Sequence, residues 1–161
     1  MKVLIIGGVA AGTKTAAKIK REMGDNFSVT ILNKGDDISY AGCGLPYYVG
    51  KIIEDKSSLI VNTPESFSKL TGAEVRCGVE VTSIDRNAKQ VTLKTLSTGE
   101  KENLSYDKLV IATGADPIKP PIPGIDLPGV FFMRTPNDAI KLRDSIENGI
   151  KRAVVIGGGF I

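Results

Sequence analysis

Short apolar runs alternating with glycine turns and helical stretches set the pattern of this chain. Residues 3–6 form a continuous apolar run, as in a strand covered on both faces. Glycines follow, and Ala10–Met23 has helix-forming composition. Residues 29–32 are a second apolar run. This order predicts a β-α-β unit and therefore a doubly wound parallel sheet. Residues 64–70 read as a short helix, with Thr63 as N-cap and Pro64 in its first turn. Residues 74–84 and 90–96 are rich in β-branched residues, with a hairpin turn at 85–89 and a second turn at 97–100. Residues 104–107 and 109–112 are expected to return to the main sheet. The middle of the chain is then a small antiparallel meander. Residues 116–128 hold five of the eight prolines, which excludes helix and central strand. A helix is expected from Thr135 to about Asn148, ended by Gly149. Residues 152–156 read as another strand, followed by Gly157, Gly158 and Gly159. That last stretch echoes residues 3–8.

Composition narrows the function classes. The chain has 161 residues, 42% of them hydrophobic and 24% charged, so it can bury a core. Its net charge of +3 is too weak a bias to indicate a nucleic-acid partner. No apolar run reaches the ~18 residues of a membrane span, and the N-terminus lacks a signal-peptide pattern. A cytoplasmic protein is expected. Two cysteines fit a reducing compartment. With no histidine, the chain can build no His-based triad or His metal site, and no metal is expected.

Gly7 and Gly12 occupy the first and third positions of G-x-G-x-x-G, but Val9 replaces the second glycine. Such a turn, with Gly8, Ala10 and Ala11, would place backbone amides of a helix N-terminus against a pyrophosphate. A plain tight turn is the alternative. The acidic residue expected about 20 positions on, to bind a ribose diol, is here Asn33, followed by Lys34. Asn33 can still hydrogen-bond, though less strongly than a carboxylate, or it is an ordinary strand-end residue.

The segment from Ser39 to Gly50 carries the chemistry. Gly42 and Gly44 flank Cys43, and Pro46 suits the first turn of a short helix. A thiol at a helix N-terminus is favoured as the thiolate. The alternative is a small buried hydrophobe. Cys77 lies in a predicted strand and reads as packing. A redox cycle at Cys43 would therefore use one protein sulfur, through a mixed disulfide or a sulfenic acid.

The loop resembles the S-[FY]-x-x-C-x-L-P-Y segment of coenzyme A-disulfide reductases. These stand with NADH oxidases, NADH peroxidases and persulfide reductases in the single-cysteine branch of the flavin disulfide reductases. Residues 106–115 followed by Pro117 resemble the second flavin-domain signature, with Ala112, Thr113 and Gly114 close to the flavin nucleotide. Gly157 to Phe160 resembles the opening of an NADH-binding domain. The resemblance implies an FAD/NAD(P)-binding, Rossmann-like α/β fold with a small antiparallel meander, truncated before the NADH domain. It implies FAD and NAD(P)H as cofactors, with coenzyme A as a possible third ligand. Cys43 would be catalytic. Val81 matches the strand that reads the adenine, and Arg134 a residue near the flavin. Lys14, Lys18 and Arg21 share one helix face where relatives hold coenzyme A phosphates; a solvated basic face is the alternative. Ser39 matches a substrate contact. Gly42 stands where coenzyme A-disulfide reductases usually have Asn, which puts coenzyme A specificity in question.

The expected organisation is a first FAD-domain segment at 1–115, a connecting segment and helix at 116–150, and the start of an NAD(P)-binding domain at 151–161. The activity expected is NAD(P)H-dependent reduction of a small disulfide or persulfide, with a full-length homodimer. NADH oxidase or peroxidase is the alternative. A catalytically inactive nucleotide-binding fragment is the alternative from another class, and the chain alone is expected to bind FAD weakly or not at all and to show no NADH-dependent reductase activity.

Overall fold

The structure, a computed structural model, describes residues 1–158. In chain order its elements are β1 (Lys2–Ile6), α1 (Ala10–Met23), β2 (Ser28–Leu32), α2 (Leu45–Val49), α3 (Pro64–Thr71), β3 (Glu74–Arg76), β4 (Val79–Asp85), β5 (Gln90–Thr95), β6 (Lys101–Ser105), β7 (Lys108–Ile111) and α4 (Pro136–Glu147). They fall into two compact units. The first is Met1–Ala41 with Ile60–Ala115; the second is Gly42–Leu59 with the residues from Asp116 onward.

In the first unit, β1 pairs in parallel with β2 and with β7, and β2 with β3, giving the order β3-β2-β1-β7. Side chains of successive strand residues point to opposite faces. Val3 and Ile5 of β1 accordingly bury with Val29 and Ile31 against Ala16 of α1 and Phe67 of α3. Leu4 and Leu32 bury on the other face, against Val79, Val91 and Leu93 of the antiparallel sheet β4-β5-β6. The continuous apolar run of β1 thus reflects a strand covered on both sides. Ile5 and Ile31 are fully buried, and each contributes about 1.5–3 kcal/mol of transfer free energy. At α3 the Thr63 hydroxyl accepts the Ser66 amide at 3.2 Å, and Gly72 closes the helix at φ +73°.

Three expectations are corrected. Residues 74–84 are two strands in two sheets, because Gly78 at φ +67° turns the chain between them. Cys77 therefore sits in that break. Residues 104 and 105 belong to β6 of the meander, paired with β5, and only β7 returns to the main sheet. Residues 152–156 form no strand. A strand needs neighbours for its amides and carbonyls, and none pairs with this stretch among the described residues; Val154, Val155 and Ile156 are more than four-fifths exposed.

The second unit packs α2 on α4. Leu45, Tyr48, Leu59 and Ala139 are buried together, flanked by Val49, Ile53 and Ile140. Helix α4 begins with a capping box. The Asp138 carboxylate accepts the Thr135 amide at 2.8 Å, and the Asp138 amide donates to the Thr135 hydroxyl at 3.3 Å. The proline-rich segment before it has turns but no helix or strand.

Candidate functional site

The glycine turn after β1 is sterically over-determined. A Cβ on Gly7, at φ +106°, would stand 2.2 Å from the Ala112 carbonyl oxygen. One on Gly12 would stand 1.8 Å from the Gly7 oxygen, and one on Gly8 would meet Ile38 at 2.7 Å. Close approach of backbone to backbone, which only glycine permits, seats α1 against the sheet. Val9 is the N-cap of α1 and brings no side-chain hydrogen bond to the first turn. The amides of Ala10, Ala11 and Gly12 have no carbonyl one turn earlier within the helix, and Ala10 and Ala11 are exposed.

Asn33 closes one side of this turn. Its Oδ1 accepts the Gly8 amide at 3.0 Å, and its Nδ2 donates to the carbonyls of Gly35 at 2.8 Å and Asp37 at 3.1 Å. Both amide hydrogens are thereby used, and the residue is buried. The Ser39 amide then donates to the Gly8 carbonyl at 2.9 Å, with Ser39 itself at φ +50°. Lys34 lies on the surface, 2.7 Å from Glu80, and its hydrogen bond and charge hold the Glu80 carboxyl below its ordinary range. Burial raises the Cys77 thiol above its ordinary value, opposed by a hydrogen bond with Asn33.

Across the sheet from that loop, the carboxyl ends of β1 and β7 open into a shallow groove of about 290 Å³. It is lined by Ile6, Ile111 and Thr113 with residues 81–84 of β4. The register of β4 shifts between Val81 and Ser83, so Thr82 bulges from the ladder. The Ala112 amide donates to the Ile6 carbonyl at 2.8 Å, and Gly114 turns at φ +72°. The structure therefore brings Gly7 to Ala112, Gly8 to Asn33, and Val81 to Thr113. Sequence reading missed Ile6, Thr82, Ser83, Ile84 and Ile111, because register and bulges are not local properties. Ligands of open α/β sheets gather outside the carboxyl ends of strands, which is the one signal that points to Ile6 and Ile111.

Lys14, Lys18 and Arg21 are all exposed on α1, as their spacing requires, and Lys18 pairs with Glu22 on the same face.

The second unit carries the thiol. Cys43 is exposed in a 3₁₀ turn, Gly42–Gly44, that leads into α2, with Pro46 in the first turn of that helix. A Cβ on Gly42 would meet nothing within 4 Å, so the approach to Cys43 from that residue is open. Leu45 and Tyr48 anchor the far side of the turn in the core of the unit. The Arg134 amide donates to Asp138 at 3.2 Å, and its guanidinium lies 3.8 Å from Asp116. Gly157 is exposed at φ +99°. Gly159 lies outside the described residues. Among those residues, no helix is long and apolar enough to cross a membrane.

The sequence model of the family described as "Pyridine nucleotide-disulphide oxidoreductase" matches residues 1–161. The chain belongs to this family. Among its relatives, an NADH oxidase of Enterococcus faecalis is 38% identical over the whole chain, which spans 35% of that protein. A coenzyme A disulfide reductase of Staphylococcus haemolyticus is 33% identical over 99% of the chain and 36% of its own length. The structure of an NAD-dependent persulfide reductase from A. fulgidus superposes with a TM-score of 0.87 and 41% identity, over 92% of this chain and 28% of that one. The chain thus spans about a third of the length of the curated relatives it matches.

Proposed function

We propose that the protein is an FAD-dependent NAD(P)H oxidoreductase that reduces a small disulfide or persulfide through Cys43. The observation that carries this reading is the contrast between the two thiols. Cys43 is exposed in a glycine-flanked turn, while Cys77 is half-buried and held towards its neutral form. A working thiol must be reachable by its substrate.

The glycine turn fits a dinucleotide, because its close backbone packing leads straight into α1, whose first residues, Ala10 and Ala11, are exposed and whose first amides have no partner within the helix. The amides of Val9, Ala10, Ala11 and Gly12 would take the pyrophosphate, with Gly7 and Gly8 shaping the turn, since their own amides donate to the Leu32 carbonyl and the Asn33 side chain. Lys34 would border the ribose, Val81 the adenine, and Ala112, Thr113, Gly114 and Arg134 the remainder; Asn33, buried with its side chain bonded to Gly8, Gly35 and Asp37, would hold the turn rather than bind the ribose diol. When bound, FAD supplies two-electron transfer from NAD(P)H. Gly157 and Gly159 would belong to the NAD(P)H site. Lys14, Lys18, Arg21, Ser39 and Gly42 would contact a coenzyme A substrate.

The Cys43 thiolate attacks one sulfur of a disulfide RSSR′. The S–S bond breaks, R′S⁻ leaves and takes a proton from solvent, and Cys43 forms a mixed disulfide with RS. Two electrons from NAD(P)H then cleave that bond, returning the Cys43 thiolate and releasing RS⁻, which is protonated.

The identity to an NADH oxidase favours a second reading, in which Cys43 cycles through a sulfenic acid and oxygen or peroxide is the acceptor. The FAD-loaded protein supplied with NADH separates the two when coenzyme A disulfide, coenzyme A persulfide, hydrogen peroxide and oxygen are offered in turn. The sulfur acceptors are expected to dominate, Cys43→Ser to abolish their reduction, and Cys77→Ser to leave it nearly intact. Full sulfur reduction by Cys43→Ser would remove the basis of the assignment, and an NADH-inert flavin would favour a binding module.

A further inference from the structure

Helix α2 ends in an unfavourable turn. Lys51 follows it at φ +61°, the left-handed region that costs a non-glycine residue about 1–2 kcal/mol. Such a conformation persists only where its surroundings hold it. The turn's own bonds supply part of that hold: the amides of Ile52 and Ile53 donate to the Tyr47 carbonyl at 2.9 and 3.1 Å. The rest comes from α4. Arg143 Nη1 lies 3.3 Å from the Tyr48 carbonyl oxygen, 3.2 Å from that of Ile53 and 2.9 Å from that of Glu54. Its guanidinium carbon lies 4.5 Å from the centroid of the Tyr48 ring. Nε donates to Glu147 at 3.2 Å, and the same Glu147 oxygen takes Lys51 Nζ at 3.0 Å. The Arg143 side chain is only 14% exposed.

We infer that Arg143 is a positioning residue for the Cys43 thiol, clamping the far end of the short helix whose near end carries Cys43. The inference rests on the reading of Cys43 as the working thiol. The chain of contact is short. Cys43 lies two residues before α2, α2 has five residues, and Tyr48, its buried anchor, is both stacked on Arg143 and bonded to it through its carbonyl. Five residues make too little helix to hold a direction unaided. A guanidinium suits the place because it makes three kinds of contact at once: Nη1 meets the carbonyls, Nε donates to Glu147 and the group lies over the Tyr48 ring, whereas a lysine ammonium is one point charge on a flexible stem.

The test uses the FAD-loaded protein and its Arg143→Ala and Arg143→Lys variants. Amide exchange over residues 48–54 should accelerate by about tenfold or more in Arg143→Ala, with exchange in β1 and α1 unchanged. Reduction of the flavin by NADH should stay within about twofold, while the disulfide-dependent step per bound flavin falls about 10–100-fold, the penalty of a misplaced reacting group. Arg143→Lys should fall between Arg143→Ala and the parent in both readouts, and it carries the test if Arg143→Ala does not fold. An unchanged disulfide step despite faster exchange would overturn the inference. So would equal loss of flavin reduction and disulfide reduction, which marks a structural role only. Cys43→Ser run in parallel separates the readings: if it still reduces the disulfide, the assignment of Cys43 fails first.

Discussion

The side-chain oxygen of Asn33 accepts the amide of Gly8 at 3.0 Å, joining the end of β2 to the glycine turn after β1. The same side chain donates both amide hydrogens to the carbonyls of Gly35 and Asp37. Two carbonyl oxygens facing one group select a donor, so the amide suits this position where a carboxylate would be repelled. Asn33→Ala should cost about 1–3 kcal/mol, the penalty of unsatisfied buried groups. In Asn33→Asp the carboxyl would have a folded pKa above its unfolded value. Its stability should therefore be greatest below the unfolded pKa near 3.9 and fall as pH rises through the folded value. Urea unfolding at pH 4 and pH 7 checks this: the deficit of Asn33→Asp relative to the parent should be larger at pH 7.

Gly12 and Gly42 make opposite predictions. A Cβ on Gly12 would overlap the Gly7 carbonyl at 1.8 Å, whereas one on Gly42 would meet nothing within 4 Å. Gly12→Ala should cost at least about 2 kcal/mol, because backbone rather than a side-chain end must move. Gly42→Ala should stay within about 0.5 kcal/mol of the parent. Gly42→Asn should be tolerated structurally as well, so any change it brings in the preference for coenzyme A disulfide reports specificity rather than stability. Denaturation midpoints check the first two, and relative kcat/KM for coenzyme A disulfide against a simpler disulfide checks the third.

The features legible in the sequence are those that local chemistry dictates. Helix α1 has the expected bounds, and Thr63 and Thr135 cap the expected helices, since side-chain oxygens find amides two or three residues away. The parallel core was legible because runs such as Val3, Leu4 and Ile5 need cover on both faces. Which sheet a strand joins was not. β-branched composition runs through Cys77 and Gly78, and only the long-range pairings of Arg76 with Leu32 and Val79 with Thr95 separate β3 from β4. Arg152 to Ile156 is strand-like in composition, yet composition supplies no partner strand. In the candidate site, the exposure of Cys43 was legible from its flanking glycines. Asn33 was noticed only as a missing acid, because its partners are set by the loop's path. Arg143 carried no signal, since the carbonyls it meets lie 89 to 95 residues away in sequence.

Cys77 should make folding sensitive to alkaline pH. Burial raises its thiol above the ordinary 9.0, the Asn33 hydrogen bond opposes this, and the carboxylates of Asp36, Glu65 and Asp37 add to the rise. A folded pKa above the unfolded one means that the unfolded chain loses its proton first as pH increases. The stabilisation is thus fully present below the unfolded value and is lost as pH climbs through the folded one. Cys77→Ala removes the group and with it this loss. The stability deficit of Cys77→Ala relative to the parent should therefore shrink between pH 8 and pH 10, measured by urea unfolding under reducing conditions. Differences between the two proteins cancel the common titration of lysines and tyrosines. Iodoacetamide at pH 8 gives an independent check: peptide mass spectrometry should find Cys43 modified well before Cys77, since the first is exposed and the second is half-buried beside Asn33. A deficit that stays constant with pH, together with equal labelling of both thiols, would show that Cys77 is not shielded as its surroundings require.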